Sequence, residues 1–124
     1  MKRGVLIAAL VAAAFPAVAR ASCIPMTSAE QRERADVIFE GIALDSPTST
    51  GVQRFRVTRY LKGTGPNVLR VATGEIRRPG GGGIVTSVSL HVLRGQKWRI
   101  FGRGSSARVL RTSVCDGSKR LPRR

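Results

Sequence analysis

Side chains that perform catalysis or hold metal ions are scarce in this chain of 124 residues. It has one histidine, two cysteines and seven acidic residues. A zinc site needs three or four closely grouped ligands, and a Ser-His-Asp site needs a histidine with two partners. No motif places partners around His91, and no pair of acids is positioned for acid–base work. We therefore expect no enzyme activity, no metal and no cofactor, and we interpret His91 as an ordinary surface histidine.

Aromatic residues are also few: one Trp, one Tyr and four Phe. Proteins that bind single-stranded nucleic acid stack the bases on several exposed aromatic rings. The composition therefore argues against specific nucleic-acid recognition. The glycine run that follows Arg78 and Pro79 lacks the Gly-Lys-Ser/Thr of a phosphate loop and does not open a helix. We interpret it as a connector.

Long apolar runs are confined to the first residues of the chain. Lys2 and Arg3 precede the uncharged run 5–18, and Ala19-Arg20-Ala21 fits the small-x-small rule of signal peptidase. This pattern predicts a cleavable signal peptide over residues 1–21 and an exported protein, periplasmic or extracellular. A membrane anchor needs roughly 20 apolar residues, and a lipoprotein signal needs an aliphatic residue where Arg20 stands. No later segment is long and apolar enough to span a membrane.

The remaining residues, 22–124, are enough for one domain, which we take as monomeric. In an oxidising compartment, Cys23 and Cys115 are expected to form a disulfide. The bridge would close a loop of about 90 residues, for which the chain-entropy model gives roughly 4.5 kcal/mol of stabilisation. Residues 117–124 are rich in Lys and Arg and are interpreted as a basic C-terminal tail.

One short helix is predicted at the start of this domain. Thr27-Ser28-Ala29-Glu30 has the form of a capping box, in which the Thr27 hydroxyl accepts from the Glu30 N–H while Glu30 reaches back. Good helix formers follow as far as Arg34. We expect a helix of two or three turns over residues 28–35.

The rest of the domain is predicted to form strands. In residues 53–58, Phe55 and Val57 alternate with Arg54 and Arg56, which indicates a half-buried strand. The alternation slips at Arg59, so a bulge is expected there. Gly41 is expected to mark a bend or a close backbone approach, and Trp98 is expected to face the core. The other predicted strands are residues 36–44, 68–72, 84–92, 98–101 and 108–112.

Five or six short strands in a chain of this size favour one fold class. We predict an all-β protein: a small closed five- to six-stranded OB-like barrel with a short N-terminal helix and one disulfide. Closing the sheet would also remove its exposed edges.

Five segments in order resemble a known family. They are Cys23, residues 34–41, residues 55–63, residues 95–101 and residues 110–117. Together they look like the netrin-like domain of bacterial secreted proteins related to tissue inhibitors of metalloproteinases. The resemblance covers nearly all of the chain after residue 21, and it implies an OB-type five-stranded barrel with a stapled N-terminal segment.

The chain departs from that family at its first residues. Family members commonly open with Cys-x-Cys, and a central cysteine pairs with the first of these. Here Ala21-Ser22-Cys23 occupies the opening, and residues 87–92 contain no cysteine. The resemblance implies that the inhibitors chelate the protease zinc through that first, stapled cysteine. A metalloproteinase-inhibitor-like role is therefore an alternative and not the leading hypothesis.

The excess of basic residues is the remaining functional signal. The chain has 22 Lys and Arg against 7 Asp and Glu, a net charge of +15. Our leading hypothesis is an exported, non-catalytic protein-interaction module whose partner is not named by the sequence and could be a protease. A second alternative is the binding of anionic polymers or the envelope surface by a basic barrel face. The candidate anion-binding residues are Arg54, Arg56, Arg99 and Arg111.

Overall fold

The structure is a computed structural model that describes residues 23–123. The predicted signal peptide, residues 1–21, lies outside the described residues. The described chain contains one α-helix, α1, one 3₁₀ turn at Val114–Asp116, and eight strands. The strands are β1 Val37–Ala43, β2 Val52–Lys62, β3 Val68–Ala72, β4 Ile76–Arg77, β5 Gly83–Ile84, β6 Lys97–Gly102, β7 Val109–Arg111 and β8 Lys119–Leu121.

Helix α1 spans Ser28–Arg34, close to the predicted range. The Thr27 side chain accepts from the Glu30 N–H at 3.1 Å, which satisfies one of the unpaired donors at the helix start. The capping box differs in one detail. The Glu30 carboxylate accepts from the Thr27 hydroxyl at 3.1 Å. Arg32 and Arg34 lie in the last turn, where positive charge suits the helix dipole.

Six strands form one curled sheet in the order β7-β3-β2-β1-β6-β8. All neighbours are antiparallel except β3 and β7, which are parallel. An isolated bridge between Arg103 and Arg111 brings the chain after β6 against β7. The sheet is therefore curled into a half-barrel of six strands. The predicted all-β class, short helix and disulfide are confirmed, and the predicted closed barrel is present as this half-barrel.

The core lies on the concave side of this sheet. Its largest fully buried side chains include Phe39, Phe55, Ile100 and Leu110. The rings of Phe39 and Phe55 meet edge to face with centroids 5.8 Å apart, an arrangement favoured by aromatic quadrupoles. Trp98 is buried in the same cluster, as predicted. Strand alternation therefore sends apolar residues inward and leaves the intervening residues for the outer side.

Strand β2 bends through two irregularities that flank Arg59. Its register against β1 skips one residue at Thr58 and another at Leu61. Each skip is a bulge that restores the side-chain phase, so that Tyr60 contacts the core while Arg59 faces outward. The bulge predicted near Arg59 is thus present.

Gly41 is the point of closest approach between β1 and β2. A Cβ at this position would lie 2.8 Å from the backbone oxygen of Arg56 and 3.1 Å from the Phe39 ring. Any larger residue would push the two strands apart, which explains why glycine occupies the middle of a buried strand.

The predicted strand over residues 84–92 is wrong for most of its length. Only Ile84 of it lies in a strand: Gly83–Ile84 pairs with Ile76–Arg77 in a separate two-stranded hairpin, whose loop contains most of the predicted glycine connector. After it, the backbone forms separate hydrogen bonds instead of a strand ladder: Ser89 Oγ accepts from the Thr86 N–H at 3.0 Å, and the Leu90 N–H donates to the Thr73 carbonyl oxygen at 2.9 Å. Such local side-chain bonds compete with sheet formation. Leu90 and Val92 are nevertheless buried.

The segment predicted as a basic tail also contains a strand. Lys119–Leu121 pairs antiparallel with β6 and extends the sheet by one strand. Its three residues are too few to show an alternation from which the strand could be predicted. The strand forms because the edge of β6 offers hydrogen-bond partners.

Cys23 and Cys115 form the predicted disulfide, with a Cα–Cα distance of 5.2 Å. The bridge joins the segment before α1 to the 3₁₀ turn that follows β7. It closes a loop that contains most of the sheet, and it thereby holds the helix against the barrel.

Replacing both cysteines by serine should lower the free energy of unfolding by up to about 4.5 kcal/mol, because the unfolded chain regains the entropy of a long open loop. Urea unfolding of the Cys23→Ser/Cys115→Ser protein measures this loss. Reduction of the unaltered protein is the control and should produce the same shift in midpoint. A midpoint that is unchanged by reduction would contradict the structural role of the bridge.

Candidate anion-binding face of the sheet

The convex side of the six-stranded sheet, which we call the outer face, is strongly basic. Nine cationic side chains occupy the strand positions that point away from the core. Glu40 is the one carboxylate on these six strands. The nine cationic residues are Arg54, Arg56, Arg59, Lys62, Arg70, Lys97, Arg99, Arg111 and Lys119.

One row of this face crosses four strands through Glu40. In the register, Glu40 lies opposite Arg59 on β2 and Arg99 on β6, and Arg99 lies opposite Lys119 on β8. The Glu40 Oε2 accepts from Arg99 Nη2 at 2.7 Å and from Arg99 Nε at 3.0 Å. Arg59 Nη2 lies 2.9 Å from the Glu40 Oε1. The carboxylate thus holds two guanidinium groups in fixed positions.

Glu40 is buried, and its ionisation is set by two opposing effects. Burial is the largest single effect and favours the neutral acid. The hydrogen bonds and charges of Arg99 and Arg59 together outweigh burial and hold the pKa of Glu40 below its ordinary value. The charged form is therefore the native one, and it partly neutralises Arg59 and Arg99.

Arg54 is compensated by a residue outside the strands. Asp45 accepts from Arg54 Nη2 at 2.8 Å and from Arg54 Nε at 3.0 Å, a bidentate pair. It also accepts from the Arg54 backbone N–H at 3.0 Å. The Arg54 bonds hold the pKa of Asp45 below its ordinary value. Arg54 is therefore oriented by Asp45 and has less charge to offer a ligand.

The four candidate residues from the sequence all lie on the outer face, but the structure divides them. Arg54 and Arg99 are paired with carboxylates. Arg56 and Arg111 are exposed and form no ion pair within residues 23–123. The carboxylates neutralise Arg54 and Arg99 and fix the positions of their side chains. The positive charges of Arg56 and Arg111 stay available to attract an anion.

Arg70 is a further member of the site that the sequence analysis missed. It is exposed on β3, directly opposite Arg54 on β2. Like charges directly across a strand pair are destabilising. The signal was available, because Arg70 sits between buried Leu69 and Val71 and so takes the outward phase of its strand.

His91 is not part of this face. Its Nδ1 lies 2.8 Å from the Oε2 of Glu75, which is buried, and Arg77 Nε lies 3.6 Å from the Glu75 Oε1. Within residues 23–123, no three His, Cys, Asp or Glu side chains are grouped so that they could hold a metal ion.

The aromatic rings of the Trp and the Tyr are engaged elsewhere. Trp98 is buried and donates from Nε1 to Gln96 Oε1 at 3.1 Å. Tyr60 packs against the core, its hydroxyl donates to the Pro66 carbonyl oxygen at 2.6 Å, and burial raises its pKa. Neither ring is presented flat on the outer face for stacking of a base.

Comparisons with family models, curated proteins and solved structures find no match for this chain. The resemblance to netrin-like domains therefore stays a prediction from the sequence. In the described part of the chain, no helix has the length and apolarity required to cross a membrane.

Replacing Glu40 by glutamine should lower the free energy of unfolding by about 2 kcal/mol at pH 7, because charged hydrogen bonds to Arg59 and Arg99 are lost. The pKa of Glu40 is lowered by folding, so its contribution is complete above its ordinary pKa of 4.5 and is lost as pH falls through the folded value. The difference between the variant and the unaltered protein should therefore shrink at pH 3.

Urea unfolding at pH 7 and pH 3 measures both differences. Glu33→Gln is the matched control, because Glu33 is exposed on α1 and forms no ion pair within residues 23–123. It should change the free energy of unfolding by less than about 0.5 kcal/mol. Equal losses for Glu40→Gln at both pH values would contradict the charged, ion-paired state of Glu40.

Proposed function

We propose that this protein is an exported, non-catalytic binding module that holds an anionic polysaccharide against the outer face of its sheet. The observation that carries the proposal is the charge of that face: nine cations and one carboxylate on six strands. A surface of one sign attracts a polymer of the other sign and raises its local concentration.

The arrangement of the arginines supports an anion between strands. Arg54 and Arg70 lie directly opposite each other, and Arg111 lies one strand further on, opposite Ala72. Adjacent strands are about 4.8 Å apart, so an anionic group above the sheet reaches two guanidinium groups at once. Arg54 is already paired with Asp45, so a sulfate, phosphate or carboxylate placed here would mainly neutralise Arg70 and Arg111, which form no ion pair within residues 23–123.

The scarcity of exposed aromatic rings favours a polysaccharide over a nucleic acid. Trp98 and Phe55 are buried in the core, and Tyr60 packs against it. Single-stranded nucleic acids gain much of their affinity from stacking on several rings, and Phe101 is the one aromatic residue at an outward position of these six strands. A polymer that is read through its anionic groups needs only the arginines and lysines.

The carboxylates support a non-catalytic role. Glu40, Asp45 and Glu75 accept from or lie beside arginine side chains. Asp36 accepts from the Gly104 N–H at 2.7 Å. Each of these four acids has a partner that stabilises the fold, and such a structural role supports the proposal.

The disulfide and the predicted leader support export. Disulfides persist in oxidising compartments and are rare in the cytosol. The Cys23–Cys115 bridge is formed in the structure, and the residues before it have the pattern of a signal peptide.

Replacing Arg56, Arg70 and Arg111 by glutamine should weaken binding to heparin, a sulfated polysaccharide that serves as the probe. Loss of three ionic contacts should reduce the slope of log affinity against log salt by roughly two. The measurement is fluorescence titration with labelled heparin at several salt concentrations. The matched control is Arg78→Gln/Arg94→Gln/Arg108→Gln, which removes the same charge from positions outside the strands.

Equal weakening in the two triple variants would show that net charge alone drives binding, and the proposed face would be wrong. Tighter, base-dependent binding to single-stranded DNA of matched charge would favour nucleic acid instead. Inhibition of zinc proteases by the purified protein, without heparin binding, would favour the inhibitor-like alternative.

A further inference from the structure

A groove of about 490 Å³ lies where the last turn of α1 meets the outer face. Three cationic and three apolar side chains line it: Arg32, Ile38, Leu61, Lys62, Arg99 and Phe101. Its volume is within the range of small-molecule sites, roughly 300–1,000 Å³. An apolar floor beside cationic groups suits a ligand that joins an alkyl chain to an anionic group.

The floor of the groove is apolar, and the pairing of β1 with β2 and β6 brings its residues together. Ile38 on β1 lies opposite Lys62 on β2 and Phe101 on β6. Ile38 is only 4% exposed, although it does not belong to the core cluster, which lies on the concave side of the sheet. Leu61 is 45% exposed and is placed beside the groove by the second bulge of β2.

The rim is cationic, and two of its three cations, Lys62 and Arg99, are already oriented. Lys62 Nζ donates to the carbonyl oxygens of Arg32 and Glu33 at 2.8 and 3.2 Å, which fixes its ammonium group at the end of α1. Arg99 is held by its bonds to Glu40. Since these groups are positioned by the protein itself, a ligand anion loses little affinity to ordering them.

The groove continues toward β8. A second depression of about 210 Å³ shares Arg32, Arg99 and Phe101 with the first and adds Lys119 to its lining. The two depressions are therefore neighbours that share these three side chains.

We propose that this groove binds a long-chain carboxylate, with its alkyl chain on Ile38, Leu61 and Phe101 and its carboxylate beside Arg32. The cationic rim favours a ligand with an anionic group, and the apolar floor favours a ligand with an alkyl chain. The inference does not rest on the polysaccharide-binding proposal, because its ligand is held by apolar side chains that the polymer would not use.

The experiment is calorimetric titration of the purified protein with decanoate, octanoate and acetate, each below its micellisation concentration. Each methylene that enters the groove should raise affinity about four-fold. Decanoate should therefore bind about fifteen-fold more tightly than octanoate, and acetate should not bind measurably. Octyl glucoside has an alkyl chain but no charge, so it tests whether the cationic rim contributes to affinity. It should bind more weakly than octanoate.

Two variants test the floor and the rim separately. Leu61→Asn should weaken decanoate binding by about ten-fold, because part of the apolar contact is lost. Val68→Asn is its matched control, since Val68 is 42% exposed on β3 and does not line the groove. Arg32→Gln should weaken binding by about five-fold, and Arg34→Gln, in the same turn of α1, is its control.

Heparin binding by Leu61→Asn should be unchanged, so this proposal and the polysaccharide proposal can fail independently. The groove proposal is overturned if affinity does not depend on chain length, if octyl glucoside binds as tightly as octanoate, or if Val68→Asn weakens decanoate binding as much as Leu61→Asn.

Discussion

The structure depends on strand β1, because it is hydrogen-bonded on both sides and supplies both surfaces of the sheet. It pairs with β2 and β6 over most of its length. On the concave side, Phe39 contributes to the core. On the convex side, Glu40 binds an arginine from each neighbouring strand. Gly41 allows β2 to approach closely enough for this pairing. One strand thus fixes the core, the ion network and the floor of the groove, to which it contributes Ile38.

The ion pairs explain how the sheet tolerates so many positive charges on one side. Glu40 and Asp45 neutralise arginines at the centre and at one end of the outer face. Exposed ion pairs add little stability, but a buried carboxylate that holds two guanidinium groups fixes their geometry. Six of the nine cations have no carboxylate partner within residues 23–123, and among them Arg56, Arg70 and Arg111 are exposed to solvent that screens their repulsion. The face is therefore stable without a ligand and still complementary to one.

The sequence predicted the parts of the fold that follow from strand alternation and from cysteine position. Strand β2, the bulge near Arg59, the burial of Trp98 and the disulfide all follow from local pattern. The strand predicted over residues 84–92 is the main failure, although Leu90 and Val92 are buried. The backbone there forms separate bonds: the buried Gln53 amide donates to the Val92 carbonyl oxygen at 2.8 Å, and the Leu90 N–H donates to the Thr73 carbonyl oxygen at 2.9 Å. Periodicity reports which side a residue faces, and it does not report what the backbone bonds to.

The groove could not be predicted, because its parts come together only through curvature. In a regular strand, residues 60–62 would alternate strictly between the two sides of the sheet. The second bulge lets Tyr60 contact the core and Lys62 face outward while Leu61 is left unpaired between them. A bulge also increases the local twist that curls the sheet. The same extra residue therefore bends β2 around the core and adds an apolar side chain to a cationic surface. The curvature of the sheet and the mixed lining of the groove have a common origin in this bulge, which is why the groove lies at the end of β2, beside α1.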